Sequence, residues 1–330
     1  MRFRASKALL QTFRSLAAGV AIFVLLQSPA QAATDWSVFQ RAFQTNGVEL
    51  PSNILRFPLV RRDLGTSVAG LRVSPALLAS GFISVTPATV IPLHPAATQG
   101  IQQVAQPGDA IFFAAGAIPS EDWNADRVAR ALRTCSCINI ASMMNHAAKN
   151  SPNLIWVHFE GTGTATQLSA ALAGALAIVH KPQLGVSSGA IDLSSYVPPQ
   201  YLALYQQGTM EYLDDTFVYT LPRPEQSLIA IGIVPALPAF GIAQSVAIQA
   251  PNDDADTLIF NVELALRGDE VQPVSDALRA GGFQIAAQGI HYMDDNVRLY
   301  FVHAYVRPRD PAAAEAALAN ALSLIHAHDQ

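Results

Sequence analysis

An internal duplication constrains this chain more than any other feature, because it fixes the fold as two copies of one unit rather than one large, unbroken domain. Residues 75–81 (Pro-Ala-Leu-Leu-Ala-Ser-Gly) and 235–241 (Pro-Ala-Leu-Pro-Ala-Phe-Gly) agree at five of seven positions. Ala131-Leu132-Arg133 recurs as Ala277-Leu278-Arg279, and an apolar stretch ending in His146 recurs as one ending in His291. In both copies a second histidine follows twelve positions later, at His158 and His303. Alanine-rich segments, Ala165 to Leu176 and Ala312 to Leu324, close the series. Four matches in one order mark a tandem repeat. The offset between copies falls from 160 to 145, which an inserted loop near residues 92–106 of the first copy accounts for.

Periodicity within the second copy gives the elements. Thr257 to Leu266 (TLIFNVELAL) is a mostly apolar strand. Asp269 offers an N-cap with Gln272 three residues on, and Val271, Val274 and Leu278 recur at helical spacing until Gly281-Gly282 stops the helix. Phe283 to His291 and Val297 to Tyr305 are strand-like, separated by a turn at Asp294-Asp295-Asn296, and Asp310-Pro311 opens a last helix. The expected fold class is α+β, with two tandem ferredoxin-like (split βαβ) repeats, each preceded by a β-rich segment. The expected divisions are a signal peptide over 1–32, repeat 1 over 33–180, a linker rich in Gly, Ser and Pro over 181–199, and repeat 2 over 200–330.

Arg2, Arg4, Lys7 and Arg14, the apolar run Leu16 to Leu26 and the small residues Ala30-Gln31-Ala32 make a secretory leader cleaved after Ala32. A periplasmic or secreted location is expected, with no membrane attachment once the leader is removed. No Cys stands at the cleavage site to carry a lipid. Four of the 20 Lys and Arg residues lie in that leader, which holds no acid, so the remainder is acidic against 25 Asp and Glu. Only Lys149 and Lys181 follow as lysines, a composition that excludes nucleic acid as a partner.

Arg61-Arg62-Asp63-Leu64 and Leu221-Pro222-Arg223 resemble the Pro-Arg-x-Asp-Leu motif of the LppY/LpqO family, a bacterial exported domain of unknown function. Asn145-His146 and Val157-His158-Phe159-Glu160-Gly161-Thr162-Gly163 resemble its His-Asn-His and Met-His-Phe-x-Gly-x-Gly block. The resemblance spans residues 36–326. It implies a candidate pocket containing Asn145, His146, His158, Glu160, His291, His303, Arg61 and Arg223. The first histidine of the pattern is Met144 in copy one and Gly289 in copy two.

Two imidazoles per copy bind a divalent ion weakly, and a hydrolytic site needs a third donor and a base. Met144 can be that third donor for copper, so His146, His158 and Met144 form a candidate Cu or Zn set in repeat 1. The competing reading makes the histidines hydrogen-bonded core residues. If the turn centres on Asp295, His303 lies roughly 13 Å along the strand from His291, and bridging them requires a bend or bulge. Glu160, two residues beyond His158, is either a base or a solvated edge carboxylate. Cys135 and Cys137, the only cysteines, form a disulfide or a soft-metal pair, or serve as small residues closing a helix-to-strand turn. No nucleophile elbow, phosphate loop or dinucleotide fingerprint occurs. The expected function is a non-enzymatic module that binds a small molecule or protein partner in a cleft between the repeats; the alternative is a metal-dependent hydrolase or lyase in repeat 1.

Overall fold

The computed structural model describes residues 34–88, 110–147, 149–179, 208–223, 230–231, 234–235, 237–249 and 258–325. The expected leader over 1–32, the expected linker over 181–199 and the expected insertion near 92–106 lie outside the described residues. Among those described, no helix is long and apolar enough to cross a membrane.

The fold is mixed α and β with antiparallel sheets, in two sheet-rich halves. The first half runs α1 (Ser37–Phe43), β1 (Val48–Leu50), β2 (Ile54–Val60), β3 (Ser67–Val68), β4 (Leu71–Arg72), α2 (Pro75–Leu78), β5 (Ser80–Pro87), β6 (Ile111–Glu121), α3 (Asp122–Leu132), β7 (Ile138–Met144), β8 (Asn150–Ser151), β9 (Leu154–Thr164) and α4 (Ala165–Ile178). The second runs β10 (Thr209–Leu213), β11 (Thr216–Pro222), β12 (Ala230–Ile231), β13 (Val234–Pro235), a 3-10 turn (Pro238–Phe240), β14 (Ala243–Gln249), β15 (Ile259–Leu266), α5 (Val271–Ala280), β16 (Gln284–Gly289), β17 (Asp295–Asn296), β18 (Tyr300–Val306) and α6 (Pro311–Ile325). The main sheets have matching orders, β1-β2-β5-β6-β9-β7 and β10-β11-β14-β15-β18-β16.

Strand alternation shows how the layers stack. Along β15, Phe260, Val262, Leu264 and Leu266 join the core that α5 and α6 cover, together with Leu278, Leu318 and Leu322. The intervening residues point the other way: Ile259 and Ala265 pack against residues of the first half. On β6, Phe112, Ala114 and Ile118 likewise meet the α4 residues Leu168 and Leu172, whereas Phe113 and Ala115 meet Phe240 and Phe301. The helices therefore cover the outer faces, and the inner faces pack on each other. Two apolar clusters hold this seam: one joins Ile54 and Phe113 to Phe240 and Phe301, the other joins Leu77 and Leu78 to Ile259 and Tyr305. The inner row of β18 is thus Phe301, His303, Tyr305, so a histidine sits between apolar neighbours that both belong to the seam.

Polar contacts across the seam are numerous. Arg62 pairs with Asp214 at 2.6 Å, Ser142 Oγ donates to Ile290 O at 2.6 Å, and Asn261 Nδ2 donates to Leu77 O at 2.9 Å.

Three expectations are corrected in register. The matched heptapeptides are displaced by three residues: Pro75 opens α2, and its structural counterpart opening the 3-10 turn is Pro238, while Pro235 pairs with Ala230 in β13. The N-cap of α5 is Glu270, not Asp269, with its carboxylate accepting Arg267 N at 2.6 Å. Asp295-Asn296 is not a free turn but pairs with Ala230-Ile231. Gly281-Gly282 does end α5, Gly282 taking a φ of +83° that glycine adopts without a Cβ penalty. In the first half the corresponding Cys135 and Cys137 are joined by a disulfide.

Candidate functional site: four imidazoles between the halves

The second histidine of each half lies on an inward-facing position of a central strand, His158 on β9 and His303 on β18. The first histidine of each half follows the end of an edge strand, two residues beyond Met144 and Gly289. A β-bulge interrupts each edge pairing at the same point, between Ile140 and Ser142 and between Ile285 and Ala287. Such a bulge bends the strand and re-aims the residues after it. Pairing nevertheless resumes beyond the bulge, to Met144↔Trp156 and Gly289↔Phe301, and it is the bend of the chain after these strand ends that brings His146 Nε2 to 2.9 Å from His158 Nε2 and His291 Nε2 to 3.0 Å from His303 Nε2.

The two pairs then meet. His146 stacks on His303 and His158 on His291, each at 3.7 Å between ring centres. This reciprocity is what a two-fold relation between the halves produces. An aromatic residue backs each first histidine: Trp156 lies 4.2 Å from His146 and Phe301 lies 3.6 Å from His291, with rings within 10° of parallel. All four imidazoles are buried, and burial holds them below the ordinary histidine range, His303 at about 3. They are neutral, and each Nε2 pair needs one N–H facing one lone pair.

Glu263 breaks the symmetry. Its Oε2 is 3.7 Å from His146 Nδ1 and 3.6 Å from His303 Nδ1, and its Oε1 is 3.7 Å from His291 Nδ1. Burial pushes this carboxyl up to about 7, against the opposing pull of Arg56. Glu263 was not among the sequence candidates. The signal was there: in TLIFNVELAL the polar residues Asn261 and Glu263 alternate with Phe260, Val262 and Leu264, which marks them as facing a second surface.

A cleft of about 470 Å³ opens onto this group. Its wall from the first half includes Leu50, Arg56, Pro58 and Phe82; from the second it includes Thr209, Glu211, Val218 and Glu263. His146, Trp156, His158 and His291 line it as well. Arg56 is held in place by donating to Pro238 O at 3.3 Å and Ala239 O at 2.5 Å, with its guanidinium over Phe82. Burial lowers Arg56 to about 10, still a cation.

The remaining candidates stand elsewhere. Arg61 is fully buried, donating to Asp63, to Glu121 Oε2 at 3.0 Å and to Pro119 O at 3.2 Å; Arg223 donates to Glu270 at 2.9 and 3.1 Å and to Ala265 O. Neither lines the cleft. Both tie a strand end to the start of the helix that follows β6 or β15, and a buried guanidinium needs such pairing to be tolerated. Asn145 is bonded to Asn150 and Asn153 and accepts from Ala147 N, which shapes its loop. Glu160 is not a solvated edge carboxylate: it is buried, and its Oε1 accepts Met293 N at 2.9 Å and Asp294 N at 3.0 Å from the other half. Met144 reaches across the seam toward Gly289, its Cε 2.6 Å from where a Cβ on that glycine would stand. The buried imidazole group draws on both halves, His146 and His158 from the first and His291 and His303 from the second.

Fold and site together define a class: a mixed α and β protein of two sheet-rich halves with buried imidazoles shared between the halves. The chain belongs to the family described as Domain of Unknown Function (DUF1259), whose pattern matches residues 99–178 and 203–324. No curated protein matches it. Among solved structures, the chain is similar to EtuB from Clostridium kluyveri, at 9% identity over 79% of this chain and 90% of that chain, with a TM-score of 0.17. It is also similar to EutL from Clostridium perfringens, at 10% identity over 83% and 96%, with a TM-score of 0.18. At such scores these likenesses carry nothing about fold or function.

Proposed function

We propose that this is an exported module, of the kind the LppY/LpqO motifs suggest, that binds a small molecule in the cleft between two split-βαβ repeats. The strand orders support the repeat reading: β6, α3, β7, β9 and α4 follow the split βαβ sequence, with β5 as the outer partner of β6, and β14 to α6 repeat it. One observation carries the functional reading: neither half has this cleft alone, and the two together line about 470 Å³ with a floor of imidazoles and walls that mix apolar side chains with Arg56, Thr209, Glu211 and Glu263. That size and lining suit a small organic ligand held by a few convergent polar groups. Export rests on the leader and is supported by the Cys135–Cys137 disulfide, which persists in oxidising compartments.

The test is native mass spectrometry of the chain recovered from its own compartment, beside Val218→Trp, which fills the cleft. A bound small molecule that the variant loses supports the reading; a bare chain whose Trp156 fluorescence answers to no carboxylate, sugar or amino-acid probe opposes it. A second reading, a metal-dependent hydrolase or lyase, is favoured by Glu263 beside the imidazoles, a place where a base would stand. Turnover lost in Glu263→Gln with ligand binding retained would favour it over simple binding.

A further inference from the structure

We propose that the chain holds one divalent transition-metal ion of the zinc or copper(II) type on His146 and His158 of the first half and His291 of the second. The donor atoms of these three buried residues lie within 4.8 Å of one another. Two nitrogens each about 2.0–2.1 Å from a tetrahedral ion stand roughly 3.3 Å apart. The His146 and His158 Nε2 atoms are at 2.9 Å, a few tenths of an ångström from that spacing, and the His291 donor, within 4.8 Å of both, closes on the ion as it binds. Neutral imidazole is the ligating form, and imidazole donors select zinc, copper or nickel over magnesium and calcium.

The surroundings are built for that role. Stacking on Trp156 and Phe301 fixes the ring planes of His146 and His291. Glu263 lies behind the Nδ1 atoms of both, at 3.7 Å, where a carboxylate turns the opposite nitrogen toward a metal and offsets its charge. His303 Nε2, 3.0 Å from His291 Nε2, stands next to the set as a further donor. Three imidazoles leave a coordination position for the cleft to supply. The inference rests on donor geometry alone and holds whether or not the cleft takes an organic ligand.

The full chain, stripped with a chelator, is titrated with Zn²⁺, Co²⁺ and Cu²⁺, with Mg²⁺ and Ca²⁺ as controls, and the visible spectrum of the Co²⁺ form reports its coordination. One ion per chain is expected. Losing an outer partner costs 10–100-fold in metal affinity, so removing a ligand should cost about 100-fold or more. His146→Ala and His291→Ala should therefore weaken binding alike, although they lie in different halves. Met144→Leu should leave affinity unchanged. Unchanged affinity in His291→Ala, two ions per chain, or no Zn²⁺ or Cu²⁺ binding by a chain that melts cooperatively would overturn the proposal. Should His291→Ala fail to melt cooperatively, His291→Gln replaces it with the same expectation.

Discussion

Ala117 and Glu263 occupy matching positions in the two halves, each paired across its sheet with the second histidine of that half, Ala117 with His158 and Glu263 with His303. Near-symmetric imidazoles therefore share a single carboxylate. A second one would be a buried like charge with no partner cation of its own, which costs several kcal/mol. Ala117→Glu should lower unfolding stability by about 2–4 kcal/mol at pH 8, measured by urea denaturation. An unchanged midpoint would show that the inner face admits water at that position.

Buried and half-exposed ion pairs should separate cleanly. Glu270→Gln removes the carboxylate that pairs with the fully buried Arg223 guanidinium and should cost about 3–5 kcal/mol. Asp214→Asn removes the partner of Arg62 at the seam, where both side chains are partly exposed, and should cost less than about 1 kcal/mol. Chemical denaturation of both variants in low and high salt checks the ranking, with salt sensitivity expected only in the Arg62 pair.

Glu160 works as a latch through its acceptor atoms. Glu160→Gln keeps one oxygen for the Met293 and Asp294 amides, whereas Glu160→Leu leaves two backbone donors unpaired at the seam. The leucine variant should lose about 2–4 kcal/mol more than the glutamine variant. Hydrogen exchange should show faster opening of residues 291–295 in the leucine variant alone.

Glu315 on α6 is buried with its Oε2 unpartnered, and burial raises its carboxyl from 4.5 to about 7. A raised acid binds its proton more tightly in the folded state. The associated stability is present in full below pH 4.5 and is lost as pH rises through 7. Glu315→Gln should therefore gain about 1–2 kcal/mol over the native chain at pH 8 relative to pH 4. Parallel melting curves across that window are the check, and equal pH slopes would refute it.

Gly281 sits where α5 ends against α6, and a Cβ there would stand 2.2 Å from Ala317 Cβ. Gly281→Ala has to push the helices apart and should cost about 1–3 kcal/mol. Restoring space with Ala317→Gly should recover part of the loss, so a double-mutant cycle with no coupling would exclude the contact as its cause.

The α and β character in two sheet-rich halves, the second-half strand Ile259–Leu266, the helix ending at Gly281-Gly282 and the Asp310-Pro311 helix start were all legible in the sequence, because periodicity and caps record local burial and backbone preference. The twelve-residue spacing of the histidines was legible too, as a repeated pattern. What that spacing could not convey was distance, since the bend of the chain beyond the ends of β7 and β16 turned a straight-register separation into a 3 Å contact. Nor could it show that His146 stacks on His303 rather than on a neighbour of its own half. That pairing, the place of Glu263 among the imidazoles and the burial of Glu160 follow from two inner faces packing together. Such packing is decided by shape and apolar area summed over residues more than a hundred positions apart, and no local pattern carries that sum.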